Sequence, residues 1–346
     1  MGLARARIEP SLGARVVKRT PLLYDRGADL QHDRPAHVRA GSALARLGEH
    51  TLAVVQDDAS FLAVLEGVGD AAAAALRVRD VALPAREGVR LFDDERGNKG
   101  LKLDLEACLV VDDGALLVAF GSGSTERRER VVLVDRPGSP DPQITVVEAG
   151  ALYAALRASA ELAGSELNIE GAALAGPDVL LLQRGNGAPT GARAAVDATG
   201  RLDRRALLAY LRGLAGGSTS TAPTCPPLRD VVQWSLGNVM GTRLTFTDGV
   251  SRPGPWTAFL ACAEASPDAT RDGPVSGVSI GRLDDVQRTA ELAPVDDEHG
   301  APLTDKAEGL AFDERDPRRA WLVIDRDDPA APAELLELRL GEGWIP

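Results

Sequence analysis

The sequence predicts an all-β chain folded as a single β-propeller domain over residues 1–346, with five blades. Three observations carry this. A short segment recurs along the chain, each copy leads into an apolar run, and a third strand follows each run. The copies are Lys102-Leu103-Asp104-Leu105-Glu106-Ala107, Leu167-Asn168-Ile169-Glu170-Gly171-Ala172 and Asp305-Lys306-Ala307-Glu308-Gly309-Leu310. Glu170 lies 64 residues after Glu106, and Glu308 lies 138 residues, twice 69, after Glu170. Periodicity of this kind takes precedence over local assignments. It places further copies near 42 and 239, where 41–47 and 241–246 read as strands without the Glu.

The apolar runs are 51–58, 115–122, 179–184, 256–264 and 320–327. Near-continuous apolar runs of this length suit strands buried on both faces. Third strands are expected at 61–65, 130–135, 192–197, 275–280 and 334–340, and outer strands at 78–83, 144–148, 230–236 and 286–292. The last blade lacks an outer strand of its own, so a strand at 14–20 is expected to complete it and remove the open edge. Helical spacing of apolar residues predicts inserted helices at 151–162 and 203–214, and the Gly-, Ser-, Thr- and Pro-rich stretch 216–227 reads as a loop. A sixth blade is the alternative if 187–245 hides a degenerate one. A doubly wound α/β sheet would need a helix after most strands, and only two helical patterns occur.

Composition bounds the function. The chain has 51 Asp and Glu against 39 Lys and Arg, a net charge of −12. That argues against nucleic acid and anionic lipid as partners, since both select basic surfaces. Cys108, Cys225 and Cys262 stand far apart, which suggests neither a disulfide framework nor a Cys zinc site. No run of 18 apolar residues occurs, and 1–10 lacks the apolar core of a secretory signal. A cytoplasmic, bacterial setting is expected; the bias to Arg, with only four Lys, fits a GC-rich genome.

The segments Asn168-Ile169-Glu170-Gly171 and Lys306-Ala307-Glu308-Gly309-Leu310-Ala311, with the closing 321–329, resemble the Glu-Gly repeats of phytase-like propellers, including the esterase-like phytase group and related bacterial propellers. That resemblance implies calcium held in an acidic channel mouth by Glu106, Glu170 and Glu308. The basic phosphate clamp of a true phytase is not evident, with Lys99, Lys102, Lys306 and scattered Arg as the cations.

The residues themselves give a parallel reading. Innermost strands line a propeller's channel, so repeated Glu residues would face one another. Clustered carboxylates repel and raise a pKa unless a cation compensates. Hard oxygen ligands suit Ca²⁺ or Mg²⁺. Two positions earlier lie Asp104, Asn168 and Lys306, with Lys306 a built-in counter-charge. The competing structural reading has each Glu bonding backbone N–H groups of the neighbouring blade. A second ring of polar residues ends the apolar runs and includes Asp58, Arg184, Glu264 and Asp327. Loops on a rigid scaffold commonly carry function, although such residues also end strands for local reasons.

Other motifs are weaker. Gly277-Val278-Ser279-Ile280-Gly281, followed by Asp296 and His299, matches a nucleophile elbow in letters but lies in an alternating strand pattern. The polar stretch 93–100 reads as a solvated loop, the alternative being a cover for the channel mouth or an anion site at Arg96 and Lys99, and 125–130 reads as a charge-balanced turn. The four His residues show no metal-ligand spacing, and Gly121-Ser122-Gly123 is not a phosphate loop. Two classes of function remain. One is a divalent-metal-assisted hydrolase of phosphate or carboxylic esters using the channel carboxylates. The other is a non-catalytic scaffold that binds a small molecule or protein on its rim. Aromatic content of 4% argues against a sugar-stacking face.

Overall fold

The computed structural model describes residues 2–217, 223–252, 254–268, 271 and 273–345. The chain is all-β and propeller-like. Four antiparallel four-stranded meanders follow one another. The first runs through Gly41–Gly48, Thr51–Gln56, Phe61–Glu66 and Arg77–Ala82. The second runs through Leu105–Val111, Leu116–Gly121, Arg130–Asp135 and Gln143–Glu148. The third comprises Ile169–Ala175, Asp178–Gln183, Asp197–Asp203 and Arg229–Ser235. The fourth comprises Thr245–Ser251, Thr257–Glu264, Val275–Asp284 and Thr289–Asp296. A fifth sheet is built from Lys306–Phe312, Arg319–Asp325 and Glu334–Leu340. Ala14–Pro21 pairs antiparallel with its last strand, from Ala14 opposite Leu340 to Pro21 opposite Glu334.

The apolar second strands explain the packing. Leu180, Leu182, Phe259, Ala261, Leu322 and Ile324 are almost fully buried because each sheet is covered on both faces by its neighbours. The cores therefore lie between sheets. One unites the second and third sheets, another the fourth and fifth. First strands lie beside one another, in the order 41–48, 105–111, 169–175, 245–251, 306–312 and back to 41–48.

Several boundaries differ from the sequence reading, for local reasons. The fourth meander starts at Thr245, after a short hairpin of Asn238–Val239 and Thr242–Arg243 inserted behind the third. The third strand of the third meander is Asp197–Asp203 instead of 192–197, because 184–196 forms a loop rich in Gly, Pro and Ala. The fourth meander's outer strand is Thr289–Asp296, because its third strand runs on to Asp284. The first helical insert is two helices, Gly150–Ala158 and Ala160–Ala163, parted where the Ser159 side chain accepts a hydrogen bond from Leu162 N and caps the second. The other is Arg204–Ala215, capped by Asp203. Ala4–Ile8, unforeseen as a strand, runs parallel to the outer strands of the third and fourth meanders. Part of the loop expected at 216–227, residues 218–222, lies outside the described residues.

Candidate functional site: a charged cavity on the channel axis

Each first strand carries an irregularity at the same place, and Gly41–Gly48 has a second between Arg46 and Gly48. At the shared place, pairing with the second strand slips between Gly41 and Ala43, Leu105 and Ala107, Ile169 and Gly171, Phe246 and Asp248, and Ala307 and Gly309. The extra residues are Ser42, Glu106, Glu170, Thr247 and Glu308. Regular alternation aims first-strand side chains at the flanking sheets. A bulge re-aims one side chain, and here Glu106, Glu170 and Glu308 line a common cavity of about 40 Å³ on the axis.

The residue after each bulge explains the Glu-Gly pairing. A Cβ on Gly309 would lie 2.6 Å from Leu44 N and 2.8 Å from Ala43 C. On Gly171 it would lie 2.6 Å from Gly249 N. The glycines are required by close approach of backbones near the axis.

Ser42 and Thr247 do not join the cavity chemistry. Ser42 Oγ donates to Leu105 O at 2.5 Å, and Thr247 Oγ1 to Ala307 O at 2.9 Å, so each ties its strand to the next sheet. Asp248 adds a third tie, accepting from Leu310 N and from its neighbour Gly249 N, both at 2.7 Å. The backbone-tying role considered for the glutamates belongs to these three residues.

The glutamates differ in partners. Glu170 accepts from Asn168 Nδ2 at 2.7 Å and from Arg184 Nη1 at 3.4 Å. Glu308 lies 3.3 Å from Lys306 Nζ and 3.9 Å from Arg184 Nη1. Arg184 also pairs with Glu264, which accepts from Gly273 N at 2.7 Å. Lys306 reaches Asp325 at 3.5 Å and Asp327 at 2.9 Å. Glu106, partly exposed to the cavity, has no ion pair among the described residues. Its oxygens come within 4.8 Å of those of Asp57 and Asp104. Those two carboxylates already hold Lys102, whose Nζ touches Asp57 and lies 2.6 Å from Asp104. Asp104 is further held by Arg128 at 3.0 Å and by the Ser122 hydroxyl.

Charge follows from these contacts. Burial pushes the Glu106 carboxyl well above its ordinary range, and Asp57, Asp104, Glu170 and Glu308 push it the same way. Burial also raises Glu308 strongly and Glu170 less so, against Lys306 and Arg184. Burial works on Asp104 too, but Lys102 and Arg128 outweigh it and hold it below the usual range. Asp57 shares Lys102 yet is raised, because burial dominates there. Asp58 stands apart from the cavity: it pairs with Arg39 at 2.5 Å and is pushed up to about 7 by burial and by Asp57.

Thus Asp104, Asn168, Lys306 and Arg184 line the same cavity as the three glutamates, with Glu264 and Asp327 bound to its cations. Sequence reasoning missed Asp57, Lys102 and Arg128. Lys102 and Asp57 were in sight as part of the repeat and of the first apolar run's polar end; Arg128 sits in the stretch taken as a turn. Ser279 is buried within a continuous strand, so the G-x-S-x-G pentapeptide makes no elbow.

The molecule is thus an all-β, propeller-like protein with a bulge-built polar cavity on its axis. The chain belongs to the family of unknown function DUF6929, whose model matches residues 37–340. No curated protein matches it. Among solved structures it is similar to the PQQ-bound aldose sugar dehydrogenase of Streptomyces coelicolor, at 11% identity and a TM-score of 0.41, covering 94% of this chain and 98% of that one. It is similar to Trypanosoma rangeli sialidase in complex with sialic acid, at 10% identity and a TM-score of 0.40, covering 98% and 60%. A chain of a mitotic checkpoint complex matches at 10% identity and a TM-score of 0.31, covering 87% and 64%. The chain therefore spans less than two thirds of the length of the last two.

Proposed function

We propose that the protein is a five-bladed propeller, closed by pairing of Ala14–Pro21 with Glu334–Leu340, that holds a divalent cation in the axial cavity and hydrolyses a phosphate or carboxylic ester presented at the mouth of that cavity. Support for the ring comes from the sheet pairings and from the cyclic order of the first strands. The observation that carries the site is Glu106: a carboxylate facing the cavity without a cation of its own, beside Asp57 and Asp104. Three carboxylates offer the hard oxygen donors that Ca²⁺ or Mg²⁺ prefers. Such a cation, when bound, would polarise an ester oxygen and acidify a water. Around it, this chain's own residues do definite work. Arg128, Arg184 and Lys99 border the cavity and attract an anionic ester group. Glu106, whose carboxyl is raised in the cation-free cavity, would release its proton to become the third ligand when the cation binds. Lys102 exchanges partners as Asp57 and Asp104 take up a cation.

A second reading, a binding scaffold without catalysis, is favoured by Lys102 itself. Its ammonium already bridges Asp57 and Asp104, which gives that pair an internal counter-ion. One experiment separates the two. Thermal melts with Ca²⁺ and with Mg²⁺ at about 100 times Kd should gain about 2.7 kcal/mol in the metal reading. Turnover on a panel of phosphate and carboxylic esters should vanish in EDTA and return with metal. Unchanged melts together with no chelator-sensitive turnover leave the scaffold.

A further inference from the structure

The axial channel has a second mouth, and its chemistry is different. Beyond the bulges the first strands open into a cavity of about 800 Å³, bordered by Leu44, Leu109, Leu174, Val250, Leu310 and Phe312. That volume is in the range of sites for small organic ligands, whereas the charged cavity has room for little more than an ion and its waters. Two arginines border it, Arg204 at the start of helix Arg204–Ala215 and Arg252 just after strand Thr245–Ser251. Neither has an ion pair with a carboxylate among the described residues. The remaining arginine of this mouth, Arg46, is engaged by Glu314 at 3.1 Å and by two backbone carbonyls.

Arg252 is held in place without being neutralised. Its guanidinium lies 4.3 Å from the centre of the Phe312 ring and 5.8 Å from that of Trp344, and it donates to Trp344 O at 3.4 Å. Burial lowers its pKa, and no acid offsets that effect. In a chain of net charge −12, a desolvated arginine without a carboxylate is the unusual arrangement. Stacked guanidinium presents its edge to a planar or tetrahedral anion. The exposed Asp112 and Asp113 border the same cavity, have no ion pair among the described residues and would repel a second negative charge.

From this geometry we infer that the wide mouth binds an amphipathic monoanion: a single carboxylate or phosphate head on an aliphatic body, with the head on Arg252, Arg204 beside it, and the body against the apolar wall. The test uses octanoate, octyl phosphate, octanol and octylamine, titrated into the full chain by calorimetry. Octanoate or octyl phosphate binds saturably, and the tighter of the two tells carboxylate from phosphate. Octanol and octylamine bind at least tenfold more weakly. Arg252→Gln weakens the anion tenfold to a hundredfold, as expected for loss of a charge-assisted hydrogen bond. Arg204→Gln, at a half-buried helix start, weakens it severalfold and serves if Arg252→Gln fails to fold. Equal affinity for octanol and the anions overturns the inference. So does unchanged anion affinity in the folded Arg252 variant, or the absence of saturation by about 10 mM, a free energy too small for a built site. Binding persists in EDTA and in Glu106→Gln, because those act on the other mouth. Loss of binding in EDTA would place the anion on a cation in the charged cavity and would equally overturn it.

Discussion

Glu106→Gln replaces the least compensated carboxylate of the charged cavity by a neutral group of the same shape, and should stabilise the protein. In the folded chain Glu106 keeps its proton to a higher pH than in the unfolded chain, where the ordinary value is 4.5. Between the two values the folded state binds more protons, so stability falls as pH rises. Below about pH 4.5 the proton is present in both states, and wild type and variant should unfold alike. Above it, the wild type loses up to about 1.4 kcal/mol per pH unit relative to the variant. The slope continues until the folded-state proton is lost, and it is an upper bound because Glu106 keeps some contact with water. The gap between variant and wild type should therefore widen as the pH rises from about 4.5. For a chain of 346 residues, each kcal/mol gained is a rise in Tm of about 1.4 °C. The assay is urea unfolding of both proteins from about pH 4.5 to about pH 7.5 in EDTA, with thermal melts alongside. A variant less stable than wild type, or a difference that does not change with pH, would refute the reasoning, because Glu106 would then be stabilised by a partner instead of strained by its neighbours. Added Ca²⁺ should reverse the order if the cavity takes a cation, since only the wild type offers the third carboxylate.

Gly309→Ala should destabilise by about 1–3 kcal/mol, the usual penalty for overpacking against backbone, and a Tm equal to wild type would show that the first strands can move apart. Arg184→Met removes the cation shared by Glu170, Glu264 and Glu308; breaking a buried pair in this way costs about 3–5 kcal/mol. Unfolding at neutral pH should show that loss, and it should shrink towards about pH 4 as the stranded carboxylates take up protons. Removing residues 1–20 takes away the partner of Glu334–Leu340 and the Leu12 carbonyl that accepts from Trp344 Nε1 at 2.8 Å. A truncated chain that melts like the full one would exclude closure by that strand.

The legible part of the fold came from a repeat, and the illegible part from what interrupts it. Glu106, Glu170 and Glu308 could be set in register because their neighbours are alike, and Ser42 fell on the same interval. Thr247 did not, since the Asn238–Arg243 hairpin and the helix Arg204–Ala215 lengthen that portion of the chain and move the equivalent position eight residues past 239. Strand identity survived such shifts, whereas strand limits did not: Val196 looks like a strand residue by itself, but Asp197 begins the strand by accepting from Gly185 N and Phe246 N. Within the cavity, the glutamates were visible as a pattern. Their division into two paired carboxylates and one unpaired one was not. Arg184 and Lys306 stand close to Glu170 and Glu308 in the sequence, but so does Lys102 to Glu106, and only the folded chain sends Lys102 to Asp57 and Asp104 instead.

The bulges have an evolutionary consequence. Each sheet sets one residue apart through a local slip of register, while the rest of its first strand is committed to packing. Of these five positions, 42, 106, 170, 247 and 308, three face the narrow mouth and two tie neighbouring sheets, and because the bulged residue is the unpaired one, a change there leaves the ladder's own pairs untouched. A lineage could exchange hydroxyl for carboxylate, or carboxylate for base, one sheet at a time on an unaltered frame. Chains that share this architecture can then differ in what their axis does, and the residues at those five positions, read before any overall likeness, are the ones that would tell them apart.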